Sequence, residues 1–327
     1  MAAILQVTRD YEKYVYVLSG HGEGEITDAD RHKGYTTLRN VLEQELYHVK
    51  PLSLFGSQQI PPDAATIIVL GSRRDLLPEE ASKLDHYLRG GGSMLVLLDP
   101  GASPSMAAFL RRYRLDLPAE IIGESDNQLS AGEAITSRIA EKSRSSSVTM
   151  TSDDPLFSLF GPINVLPGDD EDIDVLPLLS TSKSSWAIPL RGRELPDNLE
   201  FDAKRGDRRG PFVVGVSVAL RVTGAEPARE DQAVRKAGRL IVYSDADFAN
   251  NQFIEMLGSR DVVVNSVNWL ALEDTLIGVR PERMTAGKEE FYLSSRENYT
   301  LFMLGVVILP AVFVVLGSLV FVRRRMN

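Results

Sequence analysis

The chain has no cysteine among its 327 residues. That absence excludes thiol nucleophiles, Cys-x-x-Cys redox pairs, disulfides, iron–sulfur clusters and cysteine-ligated zinc in one step. Histidine is scarce, with four in the chain, and no His-Glu-x-x-His pair occurs. There is no Gly-x-x-x-x-Gly-Lys-[Ser/Thr] run, which excludes a P-loop nucleotidase. Gly287-Lys288 comes nearest, but Glu289 follows it and the first glycine is missing. A Gly-x-Ser-x-Gly nucleophile elbow is also absent. Positive charge is in deficit: 36 Lys and Arg stand against 45 Asp and Glu, for a net charge of −9. That balance argues against a protein whose task is to grip nucleic acid. No sequence feature calls for a cofactor or a bound metal.

What the chain has is the composition of a globular domain, 43% hydrophobic and 25% charged, long enough for one large domain or two. Its hydropathy is uneven. Tyr299 to Val322 reads YTLFMLGVVILPAVFVVLGSLVFV, 24 residues without a formal charge. A bilayer core of about 30 Å needs about 20 apolar helical residues, so the segment is expected to be one transmembrane helix in contact with lipid. Pro310 sits mid-segment, where such helices tolerate proline. Gly305 and Gly317 would let a neighbouring helix approach closely. Tyr299 and Phe302 lie where an interfacial aromatic belt is expected. Arg323, Arg324 and Arg325 follow directly, and the positive-inside rule places that tail, 323–327, in the cytoplasm and the body of the chain on the other side. The N-terminus shows no export signal. The chain is therefore expected to be either the C-terminal piece of a longer protein or tail-anchored.

Apolar runs punctuated by helical patterns organise the body. YVYVL (14–18), TIIVL (66–70) and MLVLL (94–98) read as buried strands. Tyr35, Leu38, Leu42 and Leu46 share helical spacing, and Pro78 opens a helix with Glu79 and Glu80 in its first turn and a stop at Gly90-Gly91-Gly92. Strands alternating with helices predict a doubly wound parallel α/β sheet of flavodoxin-like form. The expected divisions are 1–122 and 212–281 as two parts of this domain and 123–211 as an irregular insertion. A juxtamembrane linker at 282–298 precedes the helix at 299–322. Within these, 192–210 reads as a mobile loop, 224–238 as a hairpin excursion and 251–257 as helical.

Candidate site residues follow two strands. Ser19-Gly20-His21-Gly22-Glu23-Gly24 comes after the first, at a position where open α/β sheets bind ligands; a small molecule or a glycan would suit it. The other reading is a tight turn in which His21 caps a helix or bonds the backbone. Asp245 and Asp247 follow the strand at 239–243. Two carboxylates so spaced could hold a divalent cation or act as an acid/base pair; equally, they could cap the next helix, with Asn250 stabilising its first turn. Asp28, Asp30 and His32, and the run Asp169–Asp174, read as solvated loops. His48 and His86 read as surface residues, Trp269 as core, and Trp186 as core or a partner anchor.

Four stretches carry a resemblance: VYVLSGHGEGEI (15–26), GGGSMLVLLDP (90–100), GRLIVYSDADFANNQF (238–253) and DVVVNSVNWLALEDTLIGVRP (261–281), the last followed by the apolar helix and the arginine triplet. VLPLLSTSKSSWA (175–187) adds a weaker match. In this order the pieces resemble the gliding-type (GldG-like) auxiliary subunit family of ABC-type transporters. The resemblance implies a non-catalytic accessory subunit working beside an ABC permease and ATPase. It implies anchorage in the inner membrane and a periplasmic α/β domain that binds substrate or partner subunits. That domain would be similar to glutamine-amidotransferase-like and intraflagellar-transport-like domains. The amidotransferase fold uses a cysteine at a strand-to-helix elbow, which this chain lacks. Family members usually carry a membrane helix and further sequence before the GHGE-type motif, so the resemblance also implies a truncated or split subunit. Two other readings stand beside it: a membrane-anchored hydrolase using Asp245, Asp247 and His21, and a tail-anchored cytoplasmic scaffold.

Overall fold

The computed structural model describes residues 12–272, other than 102, 126–127, 132–133, 140, 144, 152, 169, 193–194, 197 and 222–236, together with residues 295–326. The expected hairpin excursion and most of the juxtamembrane linker lie outside the described residues.

A sheet of eight strands runs through the body. Its strands are β1 (Lys13–Leu18), β2 (Tyr47–Leu52), β3 (Ala64–Leu70), β4 (Ser93–Leu97), β5 (Glu141–Lys142), β6 (Ile173–Ser180), β7 (Val213–Leu220) and β8 (Gly238–Tyr243). They lie side by side in the order β2-β1-β3-β4-β8-β7-β6-β5. The first five are mutually parallel, and the last three extend the sheet in antiparallel fashion. The flavodoxin-like order is thus present, and the added finding is its antiparallel wing. β5 and β6 come from within 123–211, so that stretch contributes to the main sheet as well as to three smaller ones.

The inner parallel strands are apolar on both faces because each face is covered, whereas β2 at the edge exposes His48 and Lys50. Val15, Val17, Ile68, Leu70, Leu95 and Leu97 join one core with α1 (Thr36–Gln44) and α4 (Ser259–Leu270). Their alternate neighbours Tyr16, Leu18, Ile67, Val69, Met94 and Val96 join the other with α2 (Pro78–Arg89) and α3 (Pro104–Arg111). Strand period two sends successive side chains to opposite faces, so each short run feeds two cores at once. α2 begins with Pro78 in its first turn and is capped by Glu80, which accepts the Leu77 N–H at 2.8 Å.

Two expectations change. Residues 251–257 form turns rather than a helix, after a short 3-10 turn at Asp247–Ala249. Asn250 Oδ1 accepts the N–H groups of Gln252 and Phe253, a side-chain bond that competes with helical pairing. The charged loop near 192–210 is tied down: Arg205 donates to Asp207 and to the carbonyls of Asn198 and Glu200. Trp186 Nε1 donates to Leu199 O at 2.8 Å from the neighbouring strand.

The C-terminal segment is one helix of three parts, α5 (Ser295–Phe302), a π-helical stretch (Met303–Ile308) and α6 (Leu309–Met326). Pro310 offers no N–H to the preceding turn and its ring crowds that turn's carbonyl; the widened stretch lies immediately ahead of it and gives that carbonyl room. Among the described residues this is the one helix long and apolar enough to cross a membrane, over Tyr299–Arg325. Its apolar side chains are exposed, with Phe313, Val314 and Phe321 each about two-thirds accessible.

Candidate functional site

β1 pairs with β2 on one side and β3 on the other, so the chain reverses direction across the sheet between β1 and β3. Such a switch point opens a crevice at the carboxyl ends of the strands. The loops after β1, β3, β4 and β8 all converge there. Gly24 N–H donates to Leu70 O, Gly71 N–H to Leu97 O and Leu98 N–H to Tyr243 O, which extends the strand pairing into the loops. Gly71 has φ +66°, and a Cβ there would lie 3.2 Å from that of Ala246. Glycine lets the loop after β3 pass this close to the loop after β8.

At the ends of β4 and β8, Asp99, Asp245 and Asp247 each present a carboxylate oxygen within 4.8 Å of the others. Asp245 is fully buried. Its Oδ1 accepts the N–H of Asp247 and of Phe248, and its Oδ2 accepts that of Ser158. Asp99 Oδ1 accepts the Ala246 N–H at 2.8 Å. Burial pushes Asp245 well above the ordinary carboxylate range, and Asp247 and Asp99 add to the rise. Asp247 is pushed up to about 7 by burial and then by Asp99, against the opposing pull of Asn250 and Arg73. Asp99 also rises through burial, offset by its bond from Ala246 and by Arg73. Three carboxylates this close cannot all ionise unaided. A divalent cation or shared protons are the two ways to balance them. Tyr35 leans over the group and donates its hydroxyl to Ala246 O.

With no helix at 251–257 to cap, the Asp245 side chain instead closes the turn entering Asp247–Ala249. Asn250 holds the turn after it and donates to His32 O at 3.0 Å. Asn251 Nδ2 bonds Asp28 O and Asp30 O, so the solvated loop carrying Asp28, Asp30 and His32 is seated on the rim. His48 and His86 are exposed. Arg239 stacks its guanidinium 4.6 Å from the Trp269 ring, which is half-buried.

The loop after β1 uses its residues differently. Ser19 Oγ donates to Leu52 O at the end of β2. Gly20 and Gly22 have φ of +120° and +77° and reach solvent. His21 turns inward, with Nδ1 3.2 Å from Glu23 Oε1 and Nε2 2.8 Å from Glu80 Oε2. Both ring nitrogens are thus committed to glutamates. The structure brings His21 and the aspartates to one edge of the sheet but does not join them in one hydrogen-bonded group. Sequence reasoning missed Asp99, Glu80, Arg73 and Tyr35 as members of this edge. Asp99-Pro100 directly after an apolar strand was a signal of the same kind as Asp245 after β8.

A family model described as "ABC-type uncharacterized transport system" matches residues 12–266. Among solved structures, the mmIFT52 N-terminal domain aligns with a TM-score of 0.50 at 13% identity, covering 82% of this chain and 100% of that one. A ThuA-like protein from Parabacteroides merdae aligns with a TM-score of 0.47 at 11% identity, covering 87% and 96%. At 13% identity the likeness to the first is one of fold. The comparison with curated proteins found no match.

Proposed function

We propose an accessory role in transport from one premise: the chain belongs to the ABC-type uncharacterized transport system family, an auxiliary family of such systems, over residues 12–266. On this reading the chain is a non-catalytic subunit that stands beside a permease and an ATPase. It leaves nucleotide hydrolysis to the ATPase, having no P-loop of its own. The helix at 299–322 anchors it in the inner membrane and packs against the permease. The arginines at 323–325 face the cytoplasm and the α/β domain faces the periplasm, where the edge carrying Ser19–Gly22, Asp245, Asp247 and Asn250 meets substrate or a partner subunit. The gliding-type resemblance extends this to export linked with surface motility.

The observation that carries the proposal is the family match combined with an apolar, exposed helix. The hydrolase alternative is weakened because its histidine is occupied by Glu23 and Glu80. Affinity capture through a tag after Asn327, in mild detergent, is expected to recover a permease and an ATPase; recovery of neither would overturn the proposal. Reporter fusions after Asn327 test topology: activity of a cytoplasm-dependent reporter is expected, and activity of an export-dependent one would reverse the orientation.

A further inference from the structure

The loop after β1 and the first turn of α2 meet through a buried Glu–His–Glu group. His21, Glu23 and Glu80 are 8%, 9% and 2% exposed. Glu23 Oε2 accepts the His21 N–H at 2.6 Å, and Glu80 Oε2 accepts both His21 Nε2 and the Leu77 N–H. A neutral imidazole has one donor and one acceptor nitrogen, and an ionised carboxylate only accepts. Two carboxylates on the two ring nitrogens therefore require one proton more than a neutral histidine and two ionised glutamates carry. It resides either on the ring, as imidazolium, or on a glutamate. Without it, a lone pair on nitrogen faces a carboxylate oxygen in a buried place, and that contact is repulsive.

The group also holds the crevice rim. His21 O accepts the N–H groups of Arg73 (2.9 Å) and Arg74 (2.8 Å), from the loop after β3. Gly22 packs against the same two residues, and its added Cβ would lie 3.4 Å from Arg73 Cβ. Arg73 in turn acts electrostatically on Asp99 and Asp247. The charged groups around the ring are thus Glu23 from its own loop, Glu80 from α2, and Arg73 and Arg74 from the loop after β3.

We propose that Glu23, His21 and Glu80 form a proton-held clasp: with its extra proton it closes the loops after β1 and β3 over the strand ends, and loss of that proton as pH rises frees them. This device is independent of the transport reading. The carboxylate triad across the edge is a separate group, and the clasp acts on it only by placing Arg73.

Hydrogen exchange of the full chain in detergent micelles, at pH 6 and pH 9 and corrected for intrinsic rates, tests this. Protection of amides in 19–24 and 72–76 is expected to fall about tenfold or more at the higher pH, while the buried amides of α4 hold, as local opening predicts. In Glu23→Gln the oxygen can still accept the His21 N–H while the amide nitrogen, in the place of Oε1, donates to ring Nδ1, and Nε2–H donates to Glu80. A neutral imidazole is then satisfied, and protection is expected to be the same at both pH values. Glu80→Gln also removes one carboxylate from the ring, at the cost of the Leu77 N–H bond, so it is expected to lose the pH dependence likewise and serves if Glu23→Gln does not fold. Equal protection of the parent chain at both pH values would overturn the proposal. So would a pH-dependent loss that persists in the glutamine variant, since that loss would belong to the aspartates.

Discussion

Two buried acids of this chain show opposite behaviour. Asp207 lies in the loop before β7 and receives the Arg205 guanidinium on both carboxylate oxygens, at 2.8 and 2.6 Å, with the Asp202 N–H as a third donor. The Arg205 bond is the main reason that its carboxyl is held below the ordinary range. Asp245, at the end of β8, is more deeply buried, its three donors are all main-chain N–H groups and its charged neighbours are Asp99 and Asp247. Burial then wins and the carboxyl rises. Loss of water works against the charge of both acids; at Asp207 the guanidinium outweighs it, and at Asp245 the neighbouring acids add to it. The first arrangement fixes a loop. The second stores an electrostatic imbalance at the strand ends, where open α/β sheets place their ligands.

The largest effect is expected at Asp245. In Asp245→Asn, the amide nitrogen must face N–H groups that now meet an oxygen, at Ser158 or at Asp247 and Phe248. The cost of a buried unsatisfied donor is about 2–3 kcal/mol, seen as a lower thermal midpoint at neutral pH. A midpoint equal to that of the parent would mean that those bonds contribute nothing.

Asp207→Asn is expected to cost about 2 kcal/mol at pH 7 through loss of a charged hydrogen-bond pair. Asp207 titrates lower in the folded chain than in the unfolded one, so its stabilisation is complete above the ordinary carboxylate range and fades as pH falls through the lowered value. Denaturant titrations at pH 7 and pH 3 should show the gap between parent and variant narrowing in acid; a constant gap would assign the loss to packing.

Asp247→Asn sharpens the comparison by reversing its sign. With a folded value of about 7 and an unfolded value near 4, this acid erodes stability as pH climbs from about 4 to about 7, and the penalty is full above that. The variant is expected to be more stable than the parent by about 1 kcal/mol at pH 8, with no advantage at pH 4. The bond its carboxylate accepts from Asn250 Nδ2 is long at 3.4 Å, so little is lost. A variant less stable than the parent at pH 8 would show that the carboxylate is balanced by something stronger than Arg73.

Much of the sheet was legible because its signals are local. Ile67–Leu70 and Met94–Leu98 are apolar at every position, which only a strand covered on both faces tolerates. Pro78, Glu79 and Glu80 mark a helix start by chain chemistry alone. The antiparallel wing was less so: strand partners such as Val216 and Val242 lie far apart in sequence, and direction is decided by connections that periodicity does not encode. The same distance hid the site. Asp245 and Asp247 stood out as neighbours in sequence, whereas Asp99 lies about 150 residues away and meets them only because β4 and β8 pair in parallel. His21 had ligand-contact and catalytic readings until Glu80, from another element, took its second nitrogen.

The sequence by itself determined the alternation of strand and helix, the lack of a P-loop, of cysteine and of a His-Glu-x-x-His pair, and an apolar helix of membrane length, because composition and spacing suffice for each. Only the tertiary structure decided which acids face one another, which has a guanidinium and which does not, and that the histidine is clasped rather than free. Charge balance in a buried place depends on through-space neighbours a few ångströms away, and the chain order does not reveal them.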